Sequence, residues 1–175
     1  MRPHRLIQGQ KGFTLIELVL VITILGIGVS AIMMYFVQGV GTSSQSQQRT
    51  VAATLAQALM EEIISKCWDE TSTTVSPCLG TVTPSTIGTD GGESRQLYDD
   101  VDDFNGMNNS PPRDSQGASM TAYSGYSQQA TVCYVDSSAL NTCKGSGVSD
   151  YKKIVVDIVY GGGEKAELVT AVANY

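Results

Sequence analysis

The chain is 175 residues long with 11 Lys+Arg, 17 Asp+Glu and a single His, a size that suits one ordinary domain with a segment attached and excludes most large enzyme folds. The charge is uneven, because Arg2, Arg5 and Lys11 stand in the first 12 residues without an acid, leaving eight bases against 17 acids, or −9, for the rest. Such an acidic body repels a phosphate backbone and no basic cluster interrupts it, so nucleic acid is not an expected partner.

After the basic tip, residues Leu18 to Val37 form a run of 20 residues interrupted only by Thr23, Ser30, Gly26 and Gly28. As a helix this run is long enough to cross ~30 Å of hydrocarbon. The bases lie before it and none follows until Arg49, which predicts a cytoplasmic N-terminus and a body on the far side of the membrane. The run is too long, and continues too directly into further helix, for an ordinary cleaved secretory signal. At its edge stands Glu17, with no Lys or Arg within five residues on either side. A carboxylate inside a membrane segment costs ~2.5–3.5 kcal/mol at the centre, so Glu17 calls for a compensating partner or an interfacial position.

The residues around it, Lys11-Gly12-Phe13-Thr14-Leu15-Ile16-Glu17-Leu18, resemble the processing motif of the type IV prepilin family, including its pseudopilin branch. The resemblance implies a leader of residues 1–12 ending at Gly12, cut on the cytoplasmic side by a membrane aspartyl peptidase that also methylates the new first residue, Phe13. It further implies that Glu17 is the family's assembly carboxylate. In an apolar filament core, the ammonium of one subunit's Phe13 can pair with a neighbour's Glu17, whereas either charge alone would be buried without a partner. The implied partners are other major and minor pilins, the prepilin peptidase, the inner-membrane pilus assembly platform and, before assembly, membrane lipid.

Next, Val51, Leu55, Leu59 and Ile63 recur at four-residue spacing beside Ala52, Ala56 and Met60, the pattern of an amphipathic helix. No proline occurs from Phe13 to Trp68, so a nearly continuous helix of about 50 residues, ~75 Å long, is expected, with Gly39/Gly41 as the place for a bend. Residues 13–41 would be its membrane or filament-core half and 42–68 its amphipathic half. Thr71 to Gly92 and Asn105 to Gly125 read as irregular connections rich in Ser, Thr, Gly and Pro, with a compact element at Ser94 to Phe104 between them. Strands are expected at Gln128–Val135, Lys152–Tyr160 and Ala166–Ala173, the last two joined by the hairpin Gly161-Gly162-Gly163. The expected fold is therefore α+β, with a loop-rich β domain over 69–175, and it matches the pilin architecture of a long N-terminal helix on a C-terminal antiparallel sheet.

Three blocks, Leu55 to Lys66, Tyr98 to Gly106 and the final hairpin ending Ala173-Asn174-Tyr175, resemble the D-type minor pilins of mannose-sensitive haemagglutinin pili. That resemblance implies a low-copy subunit that helps build or display an adhesive pilus. The alternatives are a minor pseudopilin of a type II secretion system, a signal-anchored periplasmic enzyme and a glycan-binding adhesin.

Cys67, Cys78, Cys133 and Cys143 form an even set on the oxidising side of the membrane. Local pairing, Cys67 with Cys78 and Cys133 with Cys143, is the favoured of three connectivities. A zinc site is disfavoured, since no CxxC spacing occurs and the only His, His4, lies in the leader. Asp99, Asp100, Asp102 and Asp103 form a weak calcium candidate, because the spacing up to Gly106 does not suit a helix–loop–helix site. The other readings are a solvated acidic turn or a surface for a neighbouring subunit. A mature chain without His lacks the usual nucleophile–base pairs, so neither catalysis nor a cofactor is expected.

Overall fold

The computed structural model describes residues 12–69, 83–89 and 91–174. Within them a single α-helix, α1 (Leu15–Ile64, 50 residues), precedes five strands: β1 (Met107–Asn109), β2 (Tyr126–Asp136), β3 (Ala139–Cys143), β4 (Tyr151–Tyr160) and β5 (Glu164–Ala173). Helical structure continues unbroken through Gly39 and Gly41. The chain divides into two compact units, Met1–Ser44 and Gln45–Tyr175.

In the first unit α1 exposes its apolar side chains, from Leu15 and Ile16 through Ile24, Leu25 and Ile32 to Phe36 and Val37. The two hydroxyls in this run are satisfied within the helix, Thr23 Oγ1 by the Leu20 carbonyl at 2.8 Å and Ser30 Oγ by that of Gly26 at 2.9 Å. In hydrocarbon no water would satisfy them, so this back-bonding suits a membrane segment. Among the described residues this is the one helix long and apolar enough to cross a membrane.

In the second unit the four-residue periodicity is followed at Leu59 and Ile63, while Val51 and Leu55 at its start are half-buried. Ala52, Ala56, Leu59, Met60 and Ile63 are buried, while Gln57, Ala58 and Glu61 face solvent. The two alanines leave room for the helix backbone to come close to the sheet. The strands are antiparallel in the order β1-β2-β4-β5, with β3 paired to β2. Their register aligns Ala130 with Val156 and Val132 with Ile154, so one face of β2 and β4 is apolar and closes the core against α1. Val101, Phe104 and Met107 complete it.

The three expected strands are present with ends extended by one or two residues, and the glycine hairpin joins β4 to β5. Gly161, Gly162 and Gly163 all have positive φ (55°, 84° and 119°), which a side chain would strain. Two short strands were not anticipated. β1 lies in the stretch read as irregular from Asn105 to Gly125, too short to carry a periodicity of its own, and β3 contains few of the usual strand formers. The compact element expected at Ser94 to Phe104 is a series of turns ending in one 3-10 turn, Asp102–Phe104.

Cys133 and Cys143 form a disulfide that ties β2 to the end of β3. No described cysteine is free, and the pairing expected for Cys67 involves Cys78, which lies outside the described residues. Most of the first irregular connection, the leader up to Lys11, and Tyr175 lie outside them too.

Phe104 is fully buried, edge-on to Tyr98 with ring centroids 5.2 Å apart, and the Arg95 guanidinium lies 4.6 Å from its ring centre. Phe104→Ala should therefore cost about 3–5 kcal/mol, read as a lowered denaturation midpoint at unchanged slope.

Candidate functional site

The residues expected from sequence to be processed and to carry assembly, Gly12, Phe13 and Glu17, lie together at the start of α1. Gly12 and Phe13 precede the helix, and Phe13 is 81% exposed. A Cβ added at Gly12 would meet nothing within 4 Å, so the fold itself gives no reason for glycine there. Thr14 caps α1: its Oγ1 accepts the backbone N–H of Glu17 at 3.3 Å, which fixes Glu17 in the first turn, where the helix dipole favours an acid. The Glu17 side chain is exposed and forms no ion pair among the described residues. It is a lone carboxylate at the head of an exposed apolar helix.

A second concentration of charge lies in the other unit, and here the solvated acidic turn is corrected. Asp100, Asp102 and Asp103 are only 3%, 1% and 3% exposed, and of the four acids Asp99 alone faces solvent. The chain path explains this. After α1, Cys67 pairs in parallel with the segment around Asp100, its N–H donating to the Asp99 carbonyl at 3.1 Å and its carbonyl accepting the Val101 N–H at 2.9 Å. This short ladder sets Asp69 beside Asp100 and Asp102. The four acids are thereby split between two groups: Asp100 and Asp102 gather with Asp69, whereas Asp99 and Asp103 face Glu93.

The first group is built around Lys152, which is fully buried. Its Nζ lies 2.9 Å from Asp102 Oδ1 and 3.2 Å from Asp69 Oδ2, donates to the Trp68 carbonyl at 2.7 Å, and sits 4.2 Å from the Trp68 ring centre and 5.6 Å from that of Tyr134. Asp69 is held on its other side by the N–H and Oγ of Ser85, at 2.9 and 2.8 Å, and Tyr134 donates to the Ser85 carbonyl at 2.7 Å. The carboxylate oxygens of Asp69, Asp100 and Asp102 all lie within 4.8 Å of one another, a spacing that a cation could bridge. Here the protein's own ammonium supplies the positive charge to two of the three.

Asp100 then has no ion pair of its own among the described residues. Burial, followed by the hydrogen bond and like charge from Asp102 and the charge of Asp103, pushes its carboxyl up to about 8, against a smaller opposing effect of the Asp103 N–H that it accepts. Burial likewise raises Asp103, although the N–H groups of Asp100 and Asp99 partly offset it. Burial and the charges of Asp69 and Asp102 raise the Tyr134 hydroxyl as well.

Neither Lys152 nor Asp69 was singled out from sequence. A signal for Lys152 existed: the alternation Tyr160, Ile158, Val156, Ile154, continued one step back, places Lys152 on the buried face. Asp69 carried none, because its neighbours are brought to it by a connection more than 30 residues away.

Removing Lys152 leaves two buried carboxylates without a countercharge, so Lys152→Met should destabilise the body by about 3–5 kcal/mol in denaturant titrations of the full chain in detergent. A carboxyl raised from 3.8 to about 8 binds a proton more tightly when folded, so its stabilisation is complete below about pH 4 and is lost as pH rises towards 8. Asp103 shifts in the same sense. Unfolding free energy should thus fall with pH over this window by up to about 1.4 kcal/mol per unit, and Asp100→Asn, uncharged throughout, should flatten the dependence.

Residues 7–33 match the family model of the prokaryotic N-terminal methylation motif. No curated protein and no solved structure matches the chain. The match contains Gly12, Phe13 and Glu17 and ends within the exposed apolar part of α1. The methylation motif, together with the long N-terminal helix packed on a C-terminal antiparallel sheet, supports a type IV pilin-like or pseudopilin subunit with a membrane-anchored N-terminus, a structural component rather than an enzyme.

Proposed function

We propose that this chain is a minor type IV pilin that assembles through its N-terminal helix into an adhesive pilus of the mannose-sensitive haemagglutinin kind and helps to initiate or display it. On this reading the leader is removed after Gly12, Phe13 becomes the methylated N-terminus, and the subunit waits in the inner membrane, body outward, before it is drawn into the filament. The observation that carries the reading is Glu17: an exposed carboxylate in the first turn of an apolar helix, without an ion pair among the described residues. In lipid that charge is costly. Against a neighbouring subunit it can be neutralised by the ammonium of that subunit's Phe13, so that assembly itself relieves the cost. The apolar side chains from Phe13 to Val37, exposed in the single chain, would be covered by the helices of other pilins. Support for a minor rather than a major subunit comes from the three sequence blocks that resemble D-type minor pilins.

Glu17→Ala should leave membrane insertion intact and reduce incorporation into filaments by about tenfold or more, as expected when a buried ammonium is left unpaired. Shearing filaments from cells and measuring this protein against the major pilin checks both points. A small, constant share in the sheared fraction, lost in Glu17→Ala, is the expected result. Full retention in the envelope while pili are shed would favour the secretion pseudopilin instead.

A further inference from the structure

Lys152 and Asp102 form more than a buried ion pair in their placement. Nζ stands 2.9 Å from the Asp102 carboxylate inside a pocket walled by Trp68 and Tyr134, and both side chains are almost wholly shut from solvent. An ammonium and a carboxylate held there remain a desolvated pair, whereas an amide between them would carry no charge and would release a water. In bulk water the same condensation runs backwards, but water is what this pocket excludes. Fixing the two groups in contact also replaces an encounter by an intramolecular step, an advantage equivalent to very high effective concentration. Asp102 is the acceptor favoured over Asp69, being closer to Nζ, while both Asp69 oxygens are engaged by Ser85.

We propose that Lys152 Nζ and Asp102 Cγ condense into an intramolecular amide, with Asp69 as the base that relays the protons. The ammonium passes one proton to Asp69, which hands it to an Asp102 carboxylate oxygen, and the freed Nζ lone pair attacks Cγ of the now neutral carboxyl. The tetrahedral centre sheds a second proton from nitrogen, the C–O bond to Oδ breaks, and the departing oxygen takes both protons as water. One N–C bond replaces one C–O bond, Asp69 ends as it began, and no oxidant or activating group is consumed. Asp100, whose carboxyl shares a hydrogen bond with Asp102, steadies the oxygen on which negative charge gathers. The product would bind β4 covalently to the 3-10 turn, across 50 residues of sequence, as a cross-link that reducing agents cannot open.

The test is the intact mass of the full-length protein purified from membranes, with disulfides reduced and the N-terminal processing read from the same spectra. The expected mass is lower than the sequence requires by one water, and a protease digest should yield a branched peptide joining Asp102 to Lys152. Asp102→Ala should regain that water, whereas Asp102→Asn, which would lose ammonia instead, should reach the same final mass as the wild type. A wild-type protein at its full mass, or a branch at Asp69, overturns the proposal, and neither result depends on whether a variant folds.

Discussion

Burying one ammonium decides how the body of this protein is put together. Lys152 projects from the apolar face of β4, where the residues that follow on the same face are Ile154, Val156 and Ile158, all fully buried. A charge in that row is tolerable only with carboxylates brought to it. They come from two other parts of the chain, Asp69 just after α1 and Asp102 at the start of the 3-10 turn. The ladder around Cys67, the seating of Trp68 over Nζ and the indole contact to the Val172 carbonyl at 3.4 Å all serve the same closure. The acidic turn is thus part of the interior of the body, and its negative charge is partly spent inside the molecule.

The other half of α1 shows the opposite principle. Its side chains are apolar and exposed, its hydroxyls are satisfied by its own carbonyls, and its one acid has neither burial nor an ion-pair partner among the described residues. A surface of this kind is stable in lipid or against copies of itself. The body settles its charges internally, as Lys152 does with Asp69 and Asp102 and as Arg95 does with Glu62 at 2.6 Å. Glu17 has no ion-pair partner among the described residues, and on the proposed reading a neighbouring subunit supplies it. That contrast, of one unpaired charge at the head of the helix while others are paired within the fold, is what the proposed assembling subunit requires.

Legibility from sequence followed the range of the interactions. The membrane run, the buried stripe of Ala52, Ala56, Leu59, Met60 and Ile63, the three long strands and the glycine hairpin were all readable, because each is written as a local periodicity or a turn whose residues are neighbours in the chain. The Cys133–Cys143 pairing was readable for the same reason, with a separation of 10 residues. Strands β1 and β3 were not, since three and five residues hold too little pattern and their pairing is supplied by β2.

By itself, then, the sequence determined the α+β class, the apolar helix with its single acid, and the N-terminal methylation motif within residues 7–33, since these rest on residue type and spacing alone. Only the tertiary structure decided the fate of the acidic string. Read along the chain, Asp99 to Asp103 is a run of charge that belongs in water. Folded, Asp100 and Asp102 turn inward to meet Asp69 and Lys152, residues distant in sequence. Desolvation and ion pairing depend on distance through space, and no pattern in the chain encodes which far segment will arrive with the opposite charge.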